Sequence, residues 1–189
     1  MKRRKFIQLA AVTSLSAPVL AGIEDSPGKL TAKQQEGPFY PVENIPLESD
    51  LIVSAGAQGD RLRLTGTVCN IHGQVVAGAR VEIWQCDAAG IYHHPRDPRV
   101  KLADPDFRGF GASITNAQGE YEFDTIMPVP YTGRPPHIHA CIVVEQKRYL
   151  TTQIYLQDSG GHKDLKIAPQ AVNASHFHAE FEFVIDYPV

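Results

Sequence analysis

The sequence predicts an all-β fold, a β-sandwich with long loops. Three observations carry this. Apolar residues recur with period two in short runs. Gly, Pro and Asn punctuate those runs, and no helical period of useful length occurs between them. Short alternating strands between turn signals bury one face each, and the stable arrangement is sheet on sheet.

The elements follow in order. Arg61 to Thr65 alternates, with Leu62 and Leu64 on one side. Ala79, Val81 and Ile83 alternate with Arg80, Glu82 and Trp84. Asn116 to Gly119 is a turn signal, and Tyr121 and Phe123 then alternate with Glu120, Glu122 and Asp124. His137 to Val144 is almost wholly apolar, and Leu150 to Leu156 alternates again. Phe177, Ala179, Phe181, Phe183 and Ile185 form the apolar face of one last strand. Two stretches read as long loops: Asp87 to Phe110, rich in His, Pro, Arg and Asp, and the polar segment Gln157 to Ala174. Long loops without regular structure in a compact domain are usually functional or disordered.

A chain of 189 residues suits one main domain. The formal net charge of -3 provides no basic field for nucleic acid. Residues 1–21 have the layout of an export signal: Lys2-Arg3-Arg4-Lys5, then a modest apolar run, then Val19-Leu20-Ala21 before a cut at Gly22. Arg3-Arg4 resembles a twin-arginine signal; an ordinary secretory signal is the alternative. The expected location is periplasmic or secreted, with no membrane attachment after cleavage. Residues 22–60 then form an N-terminal arm that includes Gly37-Pro38-Phe39-Tyr40, and 61–189 form the sandwich. Cys69, Cys86 and Cys141 lack CxxC spacing, so buried free thiols are expected.

His137-Ile138-His139 is the strongest local chemical signal. Residues two apart on a strand face the same side, so both imidazoles can reach one ion. Both faces of this strand are apolar. Burying an unpartnered polar group costs roughly 1–3 kcal/mol, so two buried histidines need partners. Those partners are either a metal or other core groups. His176-Phe177-His178 has the same spacing but shares its face with Glu180 and Glu182, and reads as solvent-facing. No carboxylate lies on the His137 face to complete a facial triad. Tyr131 and Arg134 stand just upstream in a proline-rich segment, whose fixed φ angles stiffen the approach. A trivalent metal can ionise a phenol by direct coordination. His93 and His94 adjoin Tyr92 and are candidate pocket residues.

These pieces together resemble the intradiol ring-cleavage dioxygenases, the family of catechol 1,2- and protocatechuate 3,4-dioxygenases. The resemblance rests on Glu36-Gly37-Pro38-Phe39-Tyr40, Gly78 to Trp84, Asp87 to Tyr92, Phe107-Arg108-Gly109, Pro130-Tyr131, Arg134 to His139 and Thr152 to Tyr155. It implies one Fe(3+) per chain, held by Tyr92, Tyr131, His137 and His139. Tyr92 and His137 would be equatorial, Tyr131 and His139 axial, with Tyr131 the ligand that leaves when substrate binds. Arg134 and Gln153 would lie beside the ring, with Pro38 and Tyr40 near the pocket. The implied reaction inserts both atoms of O2 into a small aromatic diol and gives a cis,cis-muconate-type product. A homo-oligomer is compatible with this reading. Only Thr132 and Gly133 separate Tyr131 from Arg134, a shorter connection than in the best-known members.

Two other readings stand beside this one. An exported, non-catalytic, prealbumin-like sandwich that binds a partner would share the Gly-Thr-Val and Gly-Ala-x-Val strand pattern. It does not explain the Tyr, Tyr, HxH order. A copper or zinc site on the two histidines is disfavoured by the hard phenolate partners.

Overall fold

The computed structural model describes residues 28–188; the export signal read over 1–21 and its cut lie outside the described residues. Ten strands follow one another: β1 (Arg61–Asn70), β2 (Arg80–Trp84), β3 (Phe110–Ile114), β4 (Glu120–Ile126), β5 (His137–Val144), β6 (Lys147–Leu156), β7 (Lys166–Ile167), β8 (Gln170–Asn173), β9 (His176–Glu180) and β10 (Phe183–Ile185). Among the described residues the only helical element is the 3-10 turn Val100–Leu102. The fold is all-β, two five-stranded sheets packed face to face. One has the order β10-β1-β9-β8, with β4 also on β1; the other runs β3-β2-β5-β6-β7.

The period-two pattern sets the core. Leu62 and Leu64 of β1 and Tyr121 and Phe123 of β4 face inward from one sheet. Val81 and Ile83 of β2, Ile138, Ala140 and Ile142 of β5, and Leu150 and Ile154 of β6 face them from the other. Antiparallel register aligns β5 with both neighbours: His139 pairs with Trp84 on β2 and with Gln153 on β6. His137, His139 and Cys141 therefore point away from the sandwich core. They are still buried, because the arm and the Asp87–Phe110 loop cover the outer face of this sheet and form a second cluster with Trp84, Cys86 and Tyr92.

The structure corrects two expectations and adds a strand. The last strand is interrupted at Phe181 and Glu182, although β9 and β10 keep one register against β1. The interruption lies over Gly66: a Cβ there would lie 1.8 Å from the Phe181 carbonyl oxygen, which closes over the glycine and accepts the Tyr121 hydroxyl at 2.8 Å. The Gln157–Ala174 stretch is not all loop, since β7 and β8 form within it; β7 is two residues long, and β8 is exposed throughout, so neither has an apolar alternation. The Asp87–Phe110 loop ends where β3 begins, a strand whose Gly111, Ala112 and Ser113 carry little pattern. All three cysteines are buried and free.

Candidate metal centre

Each side chain of the centre is held by a different local device. His137 and His139 lie on one face of β5 because they are two apart on a strand. His137 Nδ1 donates to the Pro135 carbonyl at 2.6 Å. That bond fixes the tautomer and leaves the Nε2 lone pair free. The two Nε2 atoms face each other at 3.2 Å. His139 is backed by Trp84, whose ring lies 4.9 Å away and 8° from parallel.

Tyr92 sits in a loop ordered by buried carboxylates. Asp87 accepts the backbone N–H groups of Ala89, Ile91 and Asp104, and Asp97 accepts those of Tyr92 and Arg99. Arg99 donates to the Gly90 carbonyl at 2.6 Å. At Gly90, a Cβ would stand 3.2 Å from the Tyr131 Cβ, so the glycine admits Tyr131 against the loop. Tyr131 opens a two-residue turn in which Thr132 and Gly133 both have positive φ, 39° and 75°. Tyr131 and Arg134 exchange backbone hydrogen bonds across it. Two positive φ values in a two-residue loop match the twist of the flanking chain.

The four rings close a circuit. Centroids are 4.8 Å apart for His137 and His139, 6.3 Å for His139 and Tyr92, 5.2 Å for Tyr92 and Tyr131, and 5.5 Å for Tyr131 and His137. Phe39 of the arm stacks on Tyr92 at 4.5 Å, and Gly37 lets the arm approach His139. Burial dominates the electrostatics. It pushes the Tyr92 phenol well above its ordinary range, with Tyr131 and Cys86 adding to the effect and Arg134 opposing it. Burial also raises Tyr131, against the lowering by Tyr92 and Arg134. Burial lowers His137, and it lowers His139 further, with the facing His137 and Arg134 contributing. Without a metal, the centre holds neutral phenols and neutral imidazoles.

The donor set fits a hard trivalent ion. The Tyr92 hydroxyl is buried without a hydrogen-bond partner. Two imidazole nitrogens converge beside it. Among the described residues no group of three or more His, Cys, Asp or Glu could hold an ion, so a set built on this histidine pair needs the tyrosines. Two nitrogens and two phenol oxygens suit iron(III) better than a soft or exchange-labile metal.

Arg134 and Gln153 meet at the edge of this cluster. Arg134 donates to Gln153 Oε1 at 2.7 Å, and the Tyr155 hydroxyl donates to the same oxygen at 2.7 Å. Gln153 Nε2 donates to the Gln35 carbonyl of the arm. Tyr40 lies behind the centre, edge-on to Trp84 at 5.0 Å, with its hydroxyl donating to the buried Glu82. Pro38 is exposed between Gly37 and Phe39. His94 accepts the Arg96 N–H and packs edge-on to Phe39, while His93 lies against Phe107 and Gly109. The second HxH stays outside: His176 is exposed, and His178 pairs with Thr65.

Trp84, Phe39 and Tyr155 were not singled out by sequence reasoning. Alternation did put Trp84 opposite the core face of β2; its pairing with His139 depends on a strand more than fifty residues away.

The model of the family described as Dioxygenase matches residues 35–176, most of the chain. The chain belongs to the intradiol ring-cleavage dioxygenase family. Family relatives include the protocatechuate 3,4-dioxygenase beta chain of Burkholderia cepacia, 36% identical over 142 residues, 68% of this chain and 60% of that one. The hydroxyquinol 1,2-dioxygenase of Corynebacterium glutamicum is 29% identical over 174 residues, 82% of this chain and 56% of that one. The chain thus spans less than two thirds of the length of these dioxygenases. Among solved structures, the dioxygenase domain of a dioxygenase carbohydrate-binding protein fusion from Streptomyces sp. SirexAA-E superposes with a TM-score of 0.72 at 25% identity. That match covers 85% of this chain and all of that one. An intradiol ring-cleavage dioxygenase from Tetranychus urticae gives 0.68 at 25% identity, covering 83% and 94%.

Proposed function

We propose that this protein is a non-haem iron(III) intradiol dioxygenase that inserts both atoms of O2 into a catechol-type ring. The ring opens between its two hydroxyl-bearing carbons to a cis,cis-muconate-type product. One Fe(3+) per chain would be held by Tyr92, Tyr131, His137 and His139. The observation that carries the reading is the closed circuit of these four side chains around the facing Nε2 atoms and the orphaned Tyr92 hydroxyl. When bound, ferric iron supplies Lewis acidity, ionising the phenols it meets and drawing electron density from a bound diol.

The chain's own groups supply the rest. His137 offers Nε2 in a fixed tautomer through its bond to Pro135. Tyr92 is held on its carboxylate-ordered loop. Tyr131 is the half-buried phenol, at a tight turn, and is the better placed of the two to move aside and hold a proton from the diol at its Oη. Arg134 is braced by Gln153 and brings positive charge where negative charge develops on the ring. The arm, through Gly37 and Phe39, keeps water from His139 and Tyr92. The basic start of the chain supports export by the twin-arginine route to the periplasm or the medium, after the metal is inserted.

The test is direct. Purified, iron-loaded protein should hold one iron per chain, absorb visible light as a ferric tyrosinate does, and convert catechol to a muconate. His137→Ala should abolish turnover and His176→Ala should leave it. A colourless, iron-free preparation that cannot be reconstituted would sink the reading. A yellow semialdehyde product would show the wrong bond cleaved.

A further inference from the structure

The Gln157–Ala174 stretch, polar in sequence, reaches the edge of the candidate centre through two glycines. A Cβ built on Gly161 would fall within the Tyr155 ring, and one on Gly160 would stand 3.5 Å from Pro135. Glycine at 161, with φ +100°, lets the backbone lie directly on that ring. Lys166 on β7 holds the segment in place. Its ammonium donates to the carbonyls of Leu156, Ser159 and Gly160 at 3.3, 2.5 and 2.7 Å. It also stands 5.5 Å from the Tyr155 ring centroid. The Tyr155 N–H donates to the Leu165 carbonyl at 2.8 Å. Tyr155 is thus buried and clamped, and its register partner on β5 is His137.

The Tyr155 hydroxyl donates to Gln153 Oε1. That oxygen also accepts from Arg134, so both lone pairs of the amide carbonyl are used. Among the described residues Arg134 makes no ion pair, and the neutral amide is its one side-chain hydrogen bond. Its position is therefore set by an oxygen whose second lone pair Tyr155 fills. With that lone pair open, the amide can turn toward water and take Arg134 with it. We propose that Tyr155 is a positioning residue for the reaction: it holds Gln153, and through it Arg134, in place. The Gly160–Gly161 segment, braced by Lys166, in turn holds Tyr155. This inference rests on the ring-cleavage reading above and adds to it a loop outside the circuit of four rings.

The experiment compares Tyr155→Phe, Lys166→Met, Gln153→Ala and the two double variants carrying Gln153→Ala with the iron-loaded parent. Each is read by anaerobic titration with catechol, by the single-turnover rate once O2 is admitted, and by visible absorption. Tyr155→Phe should lower the rate about tenfold while catechol affinity stays within about twofold, since a charge needed in the transition state is displaced. The ferric tyrosinate band should keep its position. Lys166→Met keeps the stem and removes the ammonium, and should lower the rate about threefold in the same pattern. Both effects should vanish in the Gln153→Ala background, because residues acting through one amide are not additive. A parental rate in Tyr155→Phe, an effect that persists in Gln153→Ala, or a shifted band that places the change at His137 overturns the proposal and leaves ring cleavage intact. If Tyr155→Phe does not fold, Lys166→Met and its double variant decide by the same criteria. If the iron-loaded parent cleaves no catechol, the ring-cleavage reading fails and this proposal fails with it.

Discussion

Trp84 lies flat against His139, with ring centroids 4.9 Å apart and planes 8° from parallel. The contact follows from strand register, since Trp84 on β2 is the direct partner of His139 on β5. Trp84 is nearly fully buried, and it is the only tryptophan of the chain. It fixes the plane in which His139 presents Nε2. Trp84→Phe should cost about 1–2 kcal/mol in urea denaturation, less than the 3–5 typical of truncation to Ala. It should also speed loss of iron to a chelator about tenfold, as other changes behind a ligating histidine do. Unchanged iron retention would remove Trp84 from the support of the centre.

Tyr92→Phe separates metal binding from folding. Its hydroxyl is buried and unpartnered when no metal is present. Deleting such a group removes a desolvation penalty of about 1 kcal/mol or more. The metal-free variant should therefore be more stable than the metal-free parent in urea, while the variant loses the visible band and iron. A metal-free variant less stable than the parent would mean that the hydroxyl has a partner of its own.

Thr132→Asn addresses the turn between Tyr131 and Arg134. Thr132 is an exposed β-branched residue at φ 39°, where such residues are strained and asparagine is tolerated. An Asn-Gly pair suits a two-residue turn with both φ values positive. The expected gain is about 1 kcal/mol, the lower end of the strain of a non-glycine residue at positive φ, read as a rise in thermal midpoint. A fall in the midpoint would show that the threonine side chain serves the turn.

Gly66→Ala tests the interruption of the last strand. The added methyl would meet the Phe181 carbonyl oxygen at 1.8 Å, a collision with backbone rather than with a flexible side-chain tip. Only movement of the chain at Phe181 relieves it, with loss of the bond from Tyr121. Destabilisation beyond about 4 kcal/mol, or failure to fold, is expected. Gly73→Ala meets nothing within 4 Å and should cost only its positive-φ strain, so it serves as the comparison.

The metal-free protein should weaken in acid. Burial lowers the basicity of His137 below the ordinary value of 6.5 and that of His139 well below it. The fold favours the neutral rings, so unfolding takes up protons once the pH is below about 6.5. Stability is full above that pH and falls as pH drops toward the folded-state values. Thermal melts between about pH 7.5 and 5 should show the decline, and His139→Asn should flatten it. His93 and His94 are also lowered by burial and leave a residual slope. A slope unchanged in His139→Asn would place the proton uptake elsewhere.

Local pattern determined the all-β class, the principal core-facing residues and the shared face of His137 and His139. Those properties depend only on the two-residue period of a strand. The order of two tyrosines, an arginine and the HxH pair also pointed to the family. The second HxH was separable by the same logic, because Glu180 and Glu182 share its face. Tertiary structure alone decided that the His137 face points away from the sandwich core and is buried by a different covering. It placed Phe39 against Tyr92, Trp84 against His139, and the Gln153 amide between Arg134, Tyr155 and the arm. It also formed β3, β7 and β8, and interrupted the last strand over Gly66. Each of these depends on contacts between residues far apart in the chain, on register between strands and on backbone approach distance. A periodicity of two residues carries no record of which distant strand or loop will fill the space on its second face.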